Sequence, residues 1–134
     1  MCGAVRFTAR LTSRKCGVCH CEMCRRWTGS ALVSVFVPLG NVDWQGRDAI
    51  TVFQSSPWAE RAFCNRCGTG LYYHVTAPNE HAANLTLPIG LFDDPNGFEM
   101  WREIYIDEKP DTFAYAGTGR TLMTRQDCIE TFGV

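Results

Sequence analysis

The chain has 134 residues, 46% hydrophobic and 20% charged, with a formal net charge of −1 at pH 7. That length suits one domain, expected to span residues 1–134, and is short for two; the balance of apolar and charged residues excludes a disordered chain. The near-zero charge and the lack of a basic stripe argue against nucleic-acid or membrane-surface binding, and no run approaches the roughly 20 apolar residues that cross a bilayer.

Taken in chain order, the sequence predicts short strands separated by turns. Met1 to Lys15 has no apolar core ahead of a small-residue cleavage site, so it does not read as a signal peptide, and a cytoplasmic location is expected. Within it, Gly3 to Ala9 alternates as a strand does, with Val5 and Phe7 on one face and Arg6 and Thr8 on the other. Glu22 to Trp27 is expected to form one short helical turn. Ala31 to Val37 is apolar and β-branched and is closed by Pro38, which reads as a buried strand. Further strands are expected at Val42 to Trp44, Ile50 to Gln54, Ala59 to Phe63, Leu71 to Val75, Ala83 to Ile89 and Arg102 to Ile106. Turn residues stand between them, among them Ser55-Ser56-Pro57 and Gly68 to Gly70. Thr124 and Asp127 have the spacing of a capping box, with Asp for the usual Glu, and mark the start of a brief C-terminal helix. The sum is an all-β domain with little helix.

Eight cysteines in a chain without an export signal are not expected to pair as disulfides, because reducing compartments keep thiols reduced. Their placement points to metal instead. Cys16, Cys19, Cys21 and Cys24 cluster in CGVCHCEMC, Cys64 and Cys67 form a C-x-x-C pair, and Cys2 and Cys128 stand alone. Thiolates about 2.3 Å from a tetrahedral zinc ion lie roughly 3.8 Å from one another. C-x-C segments, whose alternate residues share a face, and C-x-x-C turns both meet that spacing. Cys19, Cys21 and Cys24 combine the two and leave a fourth position open, as a catalytic zinc requires. The spacing alone also permits another partition, in which Cys16 and Cys19 join Cys64 and Cys67 in a four-cysteine ribbon. Cys128 reads as a buried apolar residue. His20 alternates with two candidate ligands and should point away from the metal, towards a supporting or surface position.

Three segments, CGAVRF from Cys2, CHCEMCRRWTGS from Cys19 and ERAFCNRCGTGLYY from Glu60, resemble the glutathione-dependent formaldehyde-activating enzyme family, also called the CENP-V/GFA family. The resemblance covers about residues 2–107. It implies an Mss4-like fold of packed antiparallel sheets with up to two zinc ions. The catalytic ion is expected on Cys19, Cys21 and Cys24, and the structural one on Cys64, Cys67 and Cys2. The first cysteine of the family's C-x-C-G motif would fall one position before Met1: either the start of the chain is assigned slightly late, or one structural ligand is lacking, which Cys16 could replace; with no replacement the site would hold three thiolates. The implied activity is that of a carbon–sulfur lyase, joining glutathione and formaldehyde as S-(hydroxymethyl)glutathione. Arg25 and Arg26, beside Cys24, are candidates to offset the thiolate charge or to hold carboxylates. Trp27, Phe36 and Trp58 are candidates for pocket walls, while Glu22 and Glu60 are carboxylates that the spacing assigns no role. The alternatives are a non-catalytic zinc-binding interaction module and a thiol or metal sensor of the same fold, whose exposed thiolates would release zinc on oxidation.

Overall fold

The computed structural model describes residues 1–133. Ten strands run in chain order: β1 (Arg6–Ala9), β2 (Lys15–Cys19), β3 (Leu32–Pro38), β4 (Val42–Gln45), β5 (Ile50–Ser56), β6 (Ala59–Cys64), β7 (Gly70–Val75), β8 (Asn84–Pro88), β9 (Glu99–Ile104) and β10 (Thr121–Met123). Two helices accompany them, α1 (Glu22–Thr28) and α2 (Arg125–Phe132). Eight strands form one sheet in the order β10-β9-β2-β3-β8-β7-β6-β5, and β1 pairs with β4 in a separate two-stranded ribbon. The fold is therefore all-β with packed sheets, in keeping with the expectation. One detail differs. β9 runs parallel to both β2 and β10, so the large sheet is mixed.

The period of two along each strand sends alternate residues to opposite faces and gives this sheet two different surfaces. On one face Val35 and Val37 of β3 meet Leu85 and Leu87 of β8, and Val42 completes a buried cluster. The β1–β4 ribbon covers this face. Its Phe7 and Trp44 rings lie 5.2 Å apart, and they reach Phe92 and Tyr72 at 5.4 and 5.7 Å. On the other face the intervening residues, Ser34 and Phe36 of β3 and Thr86 of β8, line a cavity of about 190 Å³. The sheet thus separates core from pocket.

Several segments depart from the predicted elements; among them, β10 was not expected, and β5 runs on through Ser55 and Ser56, which read as turn. Residues 15–19 were not expected as a strand, yet β2 lies between β3 and β9 near the middle of the sheet. β9 begins at Glu99, three residues before the predicted start, because its pairing with β2 begins at Lys15 opposite Glu99. The predicted capping box is present. The Thr124 N–H and hydroxyl donate to Asp127 Oδ2 at 2.7 and 2.6 Å, and the Asp127 N–H donates to Thr124 Oγ1 at 3.2 Å.

Candidate metal centre

Cys19 closes β2, Cys21 caps α1 and Cys24 lies in its first turn. The Cys24 N–H donates to Cys21 Sγ at 3.5 Å, so the C-x-x-C spacing is also the geometry of a helix cap, with sulfur in the place of a hydroxyl oxygen. Gly29 ends the helix at φ 75°, in the left-handed conformation that glycine adopts without strain, and its N–H donates to the Arg25 carbonyl. The result brings the sulfurs of Cys19, Cys21 and Cys24 within 4.8 Å of one another at the cavity wall. Among the described residues no fourth His, Cys, Asp or Glu joins them.

A second group gathers Cys2, Cys64 and Cys67, also within 4.8 Å. Cys64 ends β6, and the turn after it passes through Gly68 at φ 77°. The Gly68 N–H closes that turn on the Cys64 carbonyl at 2.8 Å. Cys2 Sγ and Cys64 Sγ lie 3.7 Å apart. A disulfide would require about 2.05 Å, whereas two thiolates on a shared tetrahedral ion sit roughly 3.8 Å apart. All eight cysteines are free. Both groups can hold a metal ion, and the donor chemistry fits: three sulfurs in contact, with no carboxylate or imidazole among them.

The titration of the first group reflects the same crowding. Hydrogen bonds from Cys19 and Cys24 pull the Cys21 thiol down to about 2, with help from the nearby Arg61 charge. Cys19 is driven far up, because its proton is the one shared with Cys21 and Cys24 and because it is buried. At Cys24 a hydrogen bond from Cys19 acts downward, but donation to Cys21 and burial outweigh it and raise the thiol to about 12. In the second group the hydroxyl and N–H of Thr69 bring Cys67 down to about 6. One thiolate is favoured in each trio before any cation is present.

Cys16 joins neither group. It stands three residues before Cys19 on β2, which puts the two side chains on opposite faces, and Cys16 is buried at 3% exposure. This excludes the four-cysteine ribbon and removes Cys16 as the replacement structural ligand. Cys128 is fully buried, as expected of an apolar residue.

The charge beside the thiols comes from a residue not singled out in the sequence. Arg25 Nε donates to the His20 carbonyl at 2.9 Å, and Arg26 pairs with Glu22 at 2.6 Å on the surface. Neither guanidinium contacts a cysteine sulfur. Arg61 of β6 does: its Nη2 lies 4.0 Å from Cys24 Sγ, and its Nη1 donates to Ser55 Oγ at 2.5 Å. The guanidinium is held between the rings of Trp27 and Tyr73, with centroids at 5.4 and 5.0 Å. Trp27 lies behind Arg61 rather than in the cavity wall. A Cβ at Gly70 would come within 2.9 Å of its ring, so glycine there makes the space. Phe36 and Trp58 do line the cavity. The available signal for Arg61 was parity, since it falls between Ala59 and Phe63 on an otherwise apolar strand face.

His20 points away from the thiols and is buried rather than exposed. Its Nε2 meets Glu103 Oε2 at 2.8 Å, and Arg120 Nε donates to Glu103 Oε1 at 2.5 Å. Burial raises the Glu103 carboxyl, but the hydrogen bonds from Arg120 and His20 prevail and hold it below its ordinary range. Arg120 also donates to the Tyr115 and Ala116 carbonyls at 2.6 and 2.9 Å. This buried chain fastens the segment before β10 to His20, between the end of β2 at Cys19 and the helix cap at Cys21. Glu60 pairs with His74 at 3.0 Å, and Glu22 is taken by Arg26, so each has a partner other than the thiols.

Comparison with known proteins agrees with this picture. The profile of the glutathione-dependent formaldehyde-activating enzyme family matches residues 1–108. An uncharacterized lyase of Schizosaccharomyces pombe is 31% identical over 117 residues, which cover 87% of this chain and 82% of that protein. A crystal structure of a Rhodobacter sphaeroides protein shares the fold at a TM-score of 0.58 and 21% identity, over 69% of this chain and 83% of that one. The chain belongs to the glutathione-dependent formaldehyde-activating enzyme family.

Proposed function

We propose that this protein is a zinc-dependent carbon–sulfur lyase that joins a thiol to formaldehyde and reverses the joining, as an S-(hydroxymethyl)glutathione synthase does. The family supports glutathione and formaldehyde as reactants, and the S. pombe relative carries the name of a lyase. The observation that carries the reading is the trio Cys19, Cys21 and Cys24, open on one side to a cavity. These residues would hold the catalytic zinc, and Cys2, Cys64 and Cys67 the structural one. When bound by three thiolates, zinc supplies an open position at which an incoming thiol loses its proton at neutral pH.

The remaining work falls to the chain. Arg61 faces the thiolates and balances their excess negative charge from a buried position. Leu32, Phe36 and Trp58 give the cavity apolar walls that receive the body of the thiol and restrict water. The substrate sulfur attacks the formaldehyde carbon, a C–S bond forms as the carbonyl π-bond opens, and the new alkoxide takes up the proton that the thiol released. In reverse the hydroxyl proton is lost, the C–S bond breaks and formaldehyde leaves. Thiols add to formaldehyde unaided, so the acceleration required is modest. The free thiols of the chain suit a reducing, cytoplasmic setting.

Metal analysis of wild type and Cys24→Ser tests the reading. Up to two zinc ions per chain are expected, one of them lost in the variant while the circular dichroism of the fold persists. Loss of folding in Cys24→Ser would make that site structural. Glutathione added to cobalt-substituted protein is expected to alter the thiolate-to-metal absorption band; an unchanged band argues against sulfur binding there.

A further inference from the structure

The cavity contains a second arginine that the reaction above does not use. Arg102 stands opposite Gly17 in the β2–β9 pairing, two positions before Ile104, which faces Cys19. Its side chain crosses β2 over the bare glycine: a Cβ at Gly17 would lie 3.4 Å from Arg102 Cγ and 3.5 Å from Nε. Three rings frame the guanidinium, Trp101 at 4.6 Å, Phe36 at 5.2 Å and Phe132 at 5.4 Å. Among the described residues no carboxylate pairs with it. The acidic groups of its neighbourhood are engaged elsewhere, Glu103 by His20 and Arg120 and Glu108 by Arg125. Half-burial without an anion holds the guanidinium below the usual arginine value.

We propose that Arg102 is an anion anchor and that the thiol accepted by this site carries a carboxylate, bound by Arg102 while its sulfur faces Cys19, Cys21 and Cys24. The proposal rests on the reading of the three thiols as the thiol-accepting centre. A guanidinium fork matches a carboxylate with two parallel hydrogen bonds, and a partly desolvated cation without a counter-charge gains most from one. Ser34 and Thr86 lie on the same face of the sheet and add hydroxyl partners. Gly17, under the Arg102 side chain, lies two positions along β2 from Cys19, about 6.6 Å between Cα atoms. The cavity, near 190 Å³, is below the roughly 300 Å³ at which pockets enclose drug-sized ligands. That volume favours a compact carboxylate thiol, or the thiol end of a larger one.

Calorimetric titration of the zinc-loaded protein with 3-mercaptopropionate, its neutral amide and propionate tests this. The acid is expected to bind at least tenfold more tightly than the amide, and propionate to compete with it. In Arg102→Met the ratio should fall to within twofold and propionate competition should vanish; Arg102→Lys, which keeps the charge without the fork, should give an intermediate ratio. A wild-type ratio below twofold overturns the proposal, as does a ratio retained in a folded Arg102→Met. Should that variant not fold, the wild-type ratio and Arg102→Lys decide. Cys24→Ser separates the two readings. If it binds 3-mercaptopropionate as wild type does, the thiol-accepting centre falls, while its binding of propionate still reports on Arg102.

Discussion

A guanidinium with 3% of its surface exposed, 4.0 Å from Cys24 Sγ, is costly to bury unless the thiol cluster beside it carries negative charge. Arg61 and the thiol trio therefore explain each other: the anionic cluster justifies the buried cation, and the cation favours the ionised form of Cys21. Arg61→Met is expected to weaken metal retention at this site by about 10- to 100-fold, the worth of a charge-assisted contact of roughly 1.5–3 kcal/mol, as read by competition with a chromophoric chelator. Glu103 is the counterpart on the far side of the cysteine loop. Glu103→Ala would leave Arg120 and His20 buried without their partner, and a loss of about 3–5 kcal/mol is expected, measured by urea denaturation. At this scale the sequence was only partly legible. The cysteines were readable because thiolate spacing is set by bond lengths. Arg61 was not, because its role comes from pairings of β6 with β7 and from the ring of Trp27, none of them local.

Among the elements, α2 shows most clearly how a local signal survives. Thr124 and Asp127 close the capping box that their spacing predicts, since the interaction needs no distant partner. The hydrogen bonds from Thr124 hold the Asp127 carboxyl below its ordinary range. A depressed carboxyl contributes stability above its unfolded value, near 3.9, and that contribution is lost as pH falls through the folded value. The α2 amides are therefore expected to lose hydrogen-exchange protection below about pH 4, before the sheet does, and Thr124→Ala should remove this pH dependence. Strand β2 is the opposite case. Its sequence, KCGVC, contains two cysteines and a glycine and reads as ligand loop. It is a strand because β3 pairs on one side and β9, far along the chain, on the other. The parity that this imposes turns Cys16 inward and Cys19 towards the cavity, which spacing alone left open.

For the whole molecule, the division of the large sheet into a core face and a pocket face has a measurable result. The cluster of Val35, Val37, Val42, Leu85 and Leu87 lies across the sheet from Cys19 and owes nothing to the thiols. Removal of metal by a strong chelator is expected to leave the far-ultraviolet circular dichroism essentially native. The melting temperature should fall by several degrees, chiefly through the Cys2, Cys64 and Cys67 group that ties the β6–β7 turn; collapse of the dichroism would instead place metal at the heart of folding. The overall class was legible because alternation and turn residues recur along the chain. The mixed pairing was not, since nothing in residues 15–19 announces a parallel partner at residues 99–104.

That partnership matters during synthesis. His20 and Glu103 are 83 residues apart, so at about 5–20 residues per second a ribosome needs roughly 4 to 17 s to produce the second after the first. Throughout that interval the nascent CHCEMC segment has neither β9 nor Glu103 to hold it. Assembly of the cysteine trio's surroundings is thus among the last events of the protein's birth, and a chain ended before residue 99 would carry these thiols with no architecture to restrain them.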